Sequence, residues 1–164
     1  MNLRVKIKRL KDVDLPRYAR FGDAGFDLMA AEDVIIKPGE TKVIPIGLAF
    51  EIPPGYELQV RPRSGISRRT KLRVILGTVD SGFRGEVGVI IENTSPKGNE
   101  DYGCNDIHGE PEFYESTAYQ ILKGDRIAQG VIAPVQTALF VEVDKLPDSE
   151  RGINGFGSTG IRDE

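Results

Sequence analysis

Residues 56–61, YELQVR, alternate strictly between apolar and polar side chains. Successive side chains of a β-strand point to opposite faces, so the three apolar positions share one face. Glu57, Gln59 and Arg61 share the other. A period of two predicts a strand that is buried on one side. The same pattern recurs in residues 43–50, VIPIGLAF, where the even positions form the apolar face.

Further short apolar segments follow along the chain and are separated by turn signals such as KPGE, PPGY and LKGD. These segments are VGVII (87–91), AYQIL (118–122), RIAQGVIAPV (126–135) and ALFVEV (138–143). Only residues 66–73, ISRRTKLR, allow a short helix or turn. We therefore predict an all-β sandwich or barrel with at most one short helix.

Composition narrows the class of protein. The chain has 164 residues and a mass of 18.0 kDa, which fits one domain with its own core. A net charge of −3 argues against a general nucleic-acid binder. No stretch approaches the length of a membrane span, and the start lacks the apolar core of a secretion signal. With a single cysteine, Cys104, no intrachain disulfide can form, and a cytoplasmic location is expected.

Two regions depart from the strand pattern and define the expected domain organisation. Residues 1–150 form the β-domain, within which residues 94–117 are polar, acidic and predicted to be a long loop. Cys104 and His108 in this loop are too few to form a usual structural zinc site, so we interpret it as solvated. Residues 151–164 are rich in glycine and are predicted to be a mobile tail that orders on a ligand or partner.

The first stretch that could carry chemistry is Arg63-Ser64-Gly65, directly after the strand YELQVR. It offers a guanidinium group, a hydroxyl and an unobstructed backbone N–H in a row, which suits a phosphate. The alternative is a pair of surface arginines ahead of a turn.

The second stretch is residues 77–87, GTVDSGFRGEV, which has the glycines of a hairpin turn. Asp80 could be an ordinary turn residue that bonds its own backbone. It could instead be a carboxylate held on the strand side of the turn. Gln129, within an apolar run, is similarly either a structural glutamine or a group that orients a water.

Taken together and in order, five stretches resemble the five motifs of the homotrimeric dUTP diphosphatases (dUTPases). They are residues 23–28 (DAGFDL), 63–65 (RSG), 77–87, 124–129 (GDRIAQ) and 151–160 (RGINGFGSTG). The resemblance covers nearly the whole chain. Five ordered motifs are far more specific than any single glycine pattern.

The resemblance implies a jelly-roll-like β-barrel that assembles as a homotrimer with active sites shared between subunits. It implies hydrolysis of dUTP to dUMP and pyrophosphate, which limits uracil incorporation into DNA and supplies dUMP for dTMP synthesis. Mg²⁺ would be held mainly by the substrate phosphates and water, with no direct protein ligand. The glycine-rich tail would be a lid that closes over the substrate.

The resemblance also assigns a role to each matching residue. Asp80 corresponds to the general base, which takes a proton from the water that attacks the α-phosphorus. Asp27 corresponds to a supporting carboxylate. The residues that correspond to phosphate binders are Arg63, Ser64, Gly65, Gln129, Arg151, Gly157, Ser158 and Thr159. Those that correspond to nucleoside binders are Gly77, Thr78, Val79, Asp80, Phe83, Gly88 and Phe156.

Phe83 departs from the family pattern, because tyrosine is common at this position. Its ring would still pack under the deoxyribose and leave no room for a 2′-hydroxyl. Two other functions stay open. The related dCTP deaminases use a glutamate in the following strand, where this chain has Ile90, with Glu92 two residues further on. An inactive dUTPase-like binding or regulatory module is the other alternative.

Overall fold

The computed structural model describes residues 3–97, 103–108 and 117–153. These residues form short β-strands and one helix, α1 (Ser64–Arg69), which confirms the predicted fold class. The strands are β1 (Lys6–Arg9), β2 (Phe26–Met29), β3 (Val34–Ile36), β4 (Thr41–Pro45), β5 (Leu48–Glu51), β6 (Tyr56–Arg61), β7 (Leu72–Val74), β8 (Gly77–Val79), β9 (Gly88–Asn93), β10 (Gly103–Asp106), β11 (Thr117–Ile121) and β12 (Arg126–Pro134).

The strands pair into four small sheets, with the orders β1-β5, β10-β11-β3, β2-β12-β6-β8 and β4-β9-β7. The segment YELQVR is β6 and lies inside its sheet, between β12 and β8. Leu58 and Val60 are buried while Arg61 is exposed, as the alternation predicts.

One hydrophobic core joins the sheets, because most strands contribute at least one fully buried side chain. Leu28, Ile44, Leu58, Ile91 and Ile121 come from five different strands and share this core. Each buried side chain of this size contributes about 1.5–3 kcal/mol of transfer free energy.

The helix α1 is short, with six residues, and it positions the RSG stretch. Arg63 precedes it with an extended backbone. Thr70 caps the end of the helix, and its hydroxyl donates to the carbonyl of Ile66 (2.7 Å) and accepts from the N–H of Leu72 (3.1 Å). Ile66 is buried and fixes α1 on the core, so Ser64 and Gly65 lie at its exposed start.

The prediction that residues 94–117 form a long loop is wrong for residues 103–106 and 117, which lie in strands. Within them β10 pairs in parallel with β11, which itself begins at Thr117. The polar, turn-rich composition hid this strand, because its pairing partner rather than its own pattern stabilises it. The buried amide of Asn93 donates to the carbonyls of Ile36 (3.0 Å) and Thr117 (2.8 Å), which ties the two ends of the segment together.

The prediction of a strand at ALFVEV is also wrong for a single copy of the chain. Residues 138–143 form no strand, and Leu139 and Phe140 are 90% and 92% exposed. The alternating pattern needs a facing sheet, and one copy of the chain does not place one beside it. Among the described residues, no helix is long and apolar enough to span a membrane.

Candidate active site

The first cleft has a volume of about 330 Å³ and contains three of the predicted site residues, Asp27, Arg63 and Gln129, together with Arg126. We call it the arginine cleft. The carboxylate of Asp27 pairs with Nε of Arg63 (3.0 Å) and with Nε of Arg126 (3.4 Å). Arg63 also donates from Nη1 to the carbonyl of Arg126 (3.0 Å).

Strand register explains why distant parts of the sequence meet in this cleft. Asp27 of β2 lies opposite Gln129 of β12, and Gln129 lies opposite Arg61 of β6. Directly opposed residues in an antiparallel pair present their side chains on the same face. Gly25 leaves room for this arrangement, since a Cβ there would lie 3.1 Å from Oε1 of Gln129.

The arginine cleft has the chemistry of an anion site. Two guanidinium groups share one carboxylate, which orients them and leaves N–H groups for another acceptor. The predicted phosphate binders Ser64 and Gly65 follow Arg63 at the exposed start of α1 but do not line this cleft. Nothing lies within 4 Å of where a Gly65 Cβ would stand.

A second cleft, of about 210 Å³, collects most of the predicted nucleoside residues. We call it the Asp80 cleft. It is lined by Thr78, Val79, Asp80, Phe83, Glu86, Val87 and Gly88. The structure therefore gathers this part of the predicted set, although the role of each residue stays a prediction.

The stretch GTVDSGFRGEV does not form a simple two-stranded hairpin. β8 pairs with β6, whereas β9 pairs with β4 and β7, so the turn connects two different sheets. Hydrogen bonds within residues 80–84 stabilise the turn. The N–H of Phe83 donates to the carbonyl of Asp80 (3.0 Å), and Nη1 of Arg84 donates to the carbonyls of Ser81 (2.6 Å) and Phe83 (2.8 Å).

Glu86 anchors the far side of the same turn. Its Oε1 accepts from the N–H of Gly47 (2.8 Å) and lies 3.9 Å from Nζ of Lys11. Lys11 also pairs with Glu32 (2.7 Å), and this hydrogen bond raises the pKa of the Lys11 ammonium group. The turn that carries Asp80 is thus held at one end by the β8–β6 pairing and at the other by Glu86.

One copy of the chain keeps the two clefts apart. In the β6–β8 register Val79 lies opposite Leu58, which places Asp80 level with Glu57. Arg63 follows Glu57 by six residues of extended chain, a distance of roughly 20 Å at about 3.3 Å per residue. The clefts share no lining residue.

Some predicted site residues lie beyond the described structure, and the motifs assign no role to some residues near the clefts. Four predicted residues lie outside the described part of the chain: Phe156, Gly157, Ser158 and Thr159. Arg151 is described and is exposed, two residues before the last described residue, 153. The motifs assign no role to Arg126, although it belongs to the GDRIAQ stretch and is the first residue of β12. They also assign none to Gly85 or Glu86.

Comparison with known proteins finds similarity over nearly the whole chain. A family model described as dUTPase matches residues 11–100 and 95–160. The deoxyuridine 5′-triphosphate nucleotidohydrolase of Thermobifida fusca is 47% identical over 161 residues, which cover 96% of this chain and 79% of that protein. The corresponding protein of Nautilia profundicola is 47% identical over 161 residues, which cover 96% and 99% of the two chains.

Solved structures of phage proteins are also similar. The dUTPase of Staphylococcus bacteriophage 80alpha with dUPNHPP superposes with a TM-score of 0.88 at 34% identity and covers 98% of this chain and 100% of that chain. A variant of the dUTPase from phage phi11 of S. aureus, described with a structural Mg(II) ion, has a TM-score of 0.80 at 32% identity and covers 88% and 99%.

Proposed function

The chain belongs to the dUTPase family, and from that membership we propose that it hydrolyses dUTP to dUMP and pyrophosphate by attack of an Asp80-activated water on the α-phosphorus. Its relatives are named as nucleotidohydrolases of deoxyuridine triphosphate, and this chain is a hydrolase of the same class. The structural observation that supports the proposal most is the pair of clefts, one arginine-rich and one built around Asp80. In the cell, this reaction would limit uracil in DNA and supply dUMP.

Asp80 suits a general base because its position compensates for the weak basicity of a carboxylate. A base must lie within hydrogen-bond reach of the proton that it takes. The braced turn and the Glu86 anchor hold Asp80 in place, and its exposed side chain faces the cleft. The proton passes from water to the carboxylate while the water oxygen attacks phosphorus and pyrophosphate leaves.

The arginine cleft would bind the phosphates. Arg63 donates from a guanidinium oriented by Asp27, and Ser64 and Gly65 add a hydroxyl and a backbone N–H. Gln129 would hold a phosphate oxygen or a water. Arg151 and the tail residues Phe156, Gly157, Ser158 and Thr159 would close over the bound substrate, which is the role of a lid.

Mg²⁺ fits this site as an ion that arrives with the triphosphate. The Asp27 carboxylate is already engaged by two guanidinium groups. Across residues 3–97, 103–108 and 117–153, no group of three or more His, Cys, Asp or Glu side chains is arranged to hold a metal. Arg63 and Gln129 would hold the phosphates that carry the ion. When bound, Mg²⁺ neutralises phosphate charge and fixes the triphosphate geometry.

The Asp80 cleft would select the nucleoside. The backbone of Gly77, Thr78 and Val79 would read the uracil edges, and Gly88 would add a main-chain contact. The Phe83 ring would pack against the deoxyribose. A ribose would have to bury its 2′-hydroxyl against this ring without a partner, which costs about 1–3 kcal/mol.

We propose a homotrimer with shared sites, and the separation of roughly 20 Å between Asp80 and Arg63 along one copy supports the sharing. One substrate would meet both groups at close range where a second copy supplies one of the clefts. An apolar row supports association. Val43 of β4 lies opposite Ile90 of β9, and the carbonyl of Ile90 accepts from the N–H of Ile75, which directly follows β7. The exposed fractions of these three residues are 67%, 36% and 43%.

The rival deaminase chemistry has less support from the structure. Ile90, at the position expected for a catalytic glutamate, belongs to this exposed apolar row and supplies no acid. Glu92 lies opposite Thr41 and Arg73 on the same sheet.

The proposed function is tested by incubating the protein with dUTP, dCTP or UTP in the presence of Mg²⁺. We expect pyrophosphate from dUTP and neither pyrophosphate from UTP nor ammonia from dCTP. Ammonia from dCTP would identify a deaminase. No turnover of any nucleotide, with dUTP still bound, would identify a binding module.

Deleting residues 151–164 is expected to lower kcat/KM for dUTP by at least about tenfold, because the lid that excludes water is removed. The melting temperature should change little, because residues 151–153 are exposed and lie outside the core. The two quantities are measured on the same preparations. A large fall in melting temperature would show that the tail is structural.

A further inference from the structure

The Phe83 ring rests directly on the backbone of Gly85. A Cβ built at Gly85 would lie 2.6 Å from Cζ of Phe83, 3.1 Å from Cε2 and 3.3 Å from Cε1. Real Cβ atoms essentially never approach another heavy atom within 3.0 Å. The ring can therefore occupy this position only while residue 85 has no side chain.

Backbone conformation does not explain this glycine. The φ of Gly85 lies outside the left-handed region that favours glycine, so an alanine could adopt the same backbone. Gly82 provides a comparison within the same turn. Nothing lies within 4 Å of the position of its Cβ, and its φ is also outside the left-handed region.

A side chain at residue 85 would move the ring rather than the turn. Hydrogen bonds fix the turn backbone, from the N–H of Phe83 to Asp80 and from Arg84 to Ser81 and Phe83. The ring is free to yield, since Phe83 is 45% exposed and its outer carbons are the contact atoms. The expected response to a Cβ is thus a displaced ring on an intact turn.

We propose that Gly85 is a specificity-determining residue, whose bare backbone seats the Phe83 ring where it discriminates deoxyribose from ribose. The inference rests on the proposed function, since it takes the Asp80 cleft as the nucleoside site. Gly85 itself does not line that cleft, so it acts through the ring.

The test compares Gly85→Ala with the matched control Gly82→Ala. We expect Gly85→Ala to lower the ratio of kcat/KM for dUTP to kcat/KM for UTP by about tenfold or more, since a misplaced group of methyl size changes discrimination by about 10–200-fold. Gly82→Ala should keep the wild-type ratio within about twofold. Melting temperatures should show that both variants are folded.

A double-mutant cycle shows whether Gly85 acts through the ring. Phe83→Ala removes the ring and should itself lower the ratio. If the inference is right, adding Gly85→Ala to Phe83→Ala changes the ratio no further. An unchanged ratio in Gly85→Ala, or an equal effect with and without the Phe83 ring, would overturn the inference.

Binding separates failure of this inference from failure of the proposed function. The affinities of wild type and Gly85→Ala for dUMP and UMP are measured by calorimetry. A wild type that prefers dUMP but does not hydrolyse dUTP would overturn the catalytic proposal. Loss of that preference in Gly85→Ala would still support the inference that Gly85 positions the Phe83 ring. A wild type that binds neither nucleotide would overturn both.

Discussion

Replacement of Asp80 by asparagine is expected to abolish nearly all turnover of dUTP and to leave its binding intact. The amide has almost the shape of the carboxylate but cannot take a proton from the attacking water. General-base catalysis contributes about 10²–10⁴ in rate, so kcat should fall by that factor. The turn should persist, because the bond from the Phe83 N–H is accepted by the Asp80 backbone carbonyl, which is unchanged.

Pyrophosphate release measures the rate, and calorimetry with a non-hydrolysable dUTP analogue measures the binding. Glu86→Gln is the matched control, since it removes one negative charge from the same cleft and keeps an oxygen to accept from Gly47. Its kcat should fall far less than that of Asp80→Asn. A near-normal kcat in Asp80→Asn would show that another group is the base.

Mixing two inactive variants is expected to restore activity, because each site would combine clefts from two copies. Asp80→Asn keeps an intact arginine cleft, and Arg63→Ala keeps an intact Asp80 cleft. In every trimer that contains both variants, one of the three sites would receive both intact clefts, so purified mixed trimers should show about a third of wild-type activity. The variants are co-expressed with different tags, and assemblies carrying both tags are purified and assayed.

The control for this experiment mixes Arg63→Ala with Gln129→Ala. Both lesions lie in the arginine cleft, so no mixed assembly contains an intact one, and activity should stay low. Failure of the first mixture to recover, despite purified assemblies with both tags, would mean that each site is built within one copy.

Local sequence was a reliable guide where one segment carried its own signal. The alternation of YELQVR predicted β6 and its buried face, and the region of ISRRTKLR does overlap the one described helix. The motifs also indicated which residues to examine, and the structure places Asp27, Arg63 and Gln129 in one cleft. Local sequence could not predict the Arg126–Asp27 pair, because that contact joins two strands about a hundred residues apart in the chain.

Other features depended on partners that the local pattern does not encode. β10 forms because it can pair with the edge of β11. ALFVEV has a strand pattern but no strand to pair with in one copy. The contact between Phe83 and Gly85 depends on how the turn folds back on itself.

The sequence by itself determined an all-β domain, the faces of its strands and the residues that could carry chemistry, because alternation and motif composition are properties of neighbouring residues. Only the tertiary structure decided that Asp80 and Arg63 lie at opposite ends of β6 in one copy. The physical reason is that alternation specifies which way a side chain points, whereas the register between strands specifies which other residues it meets.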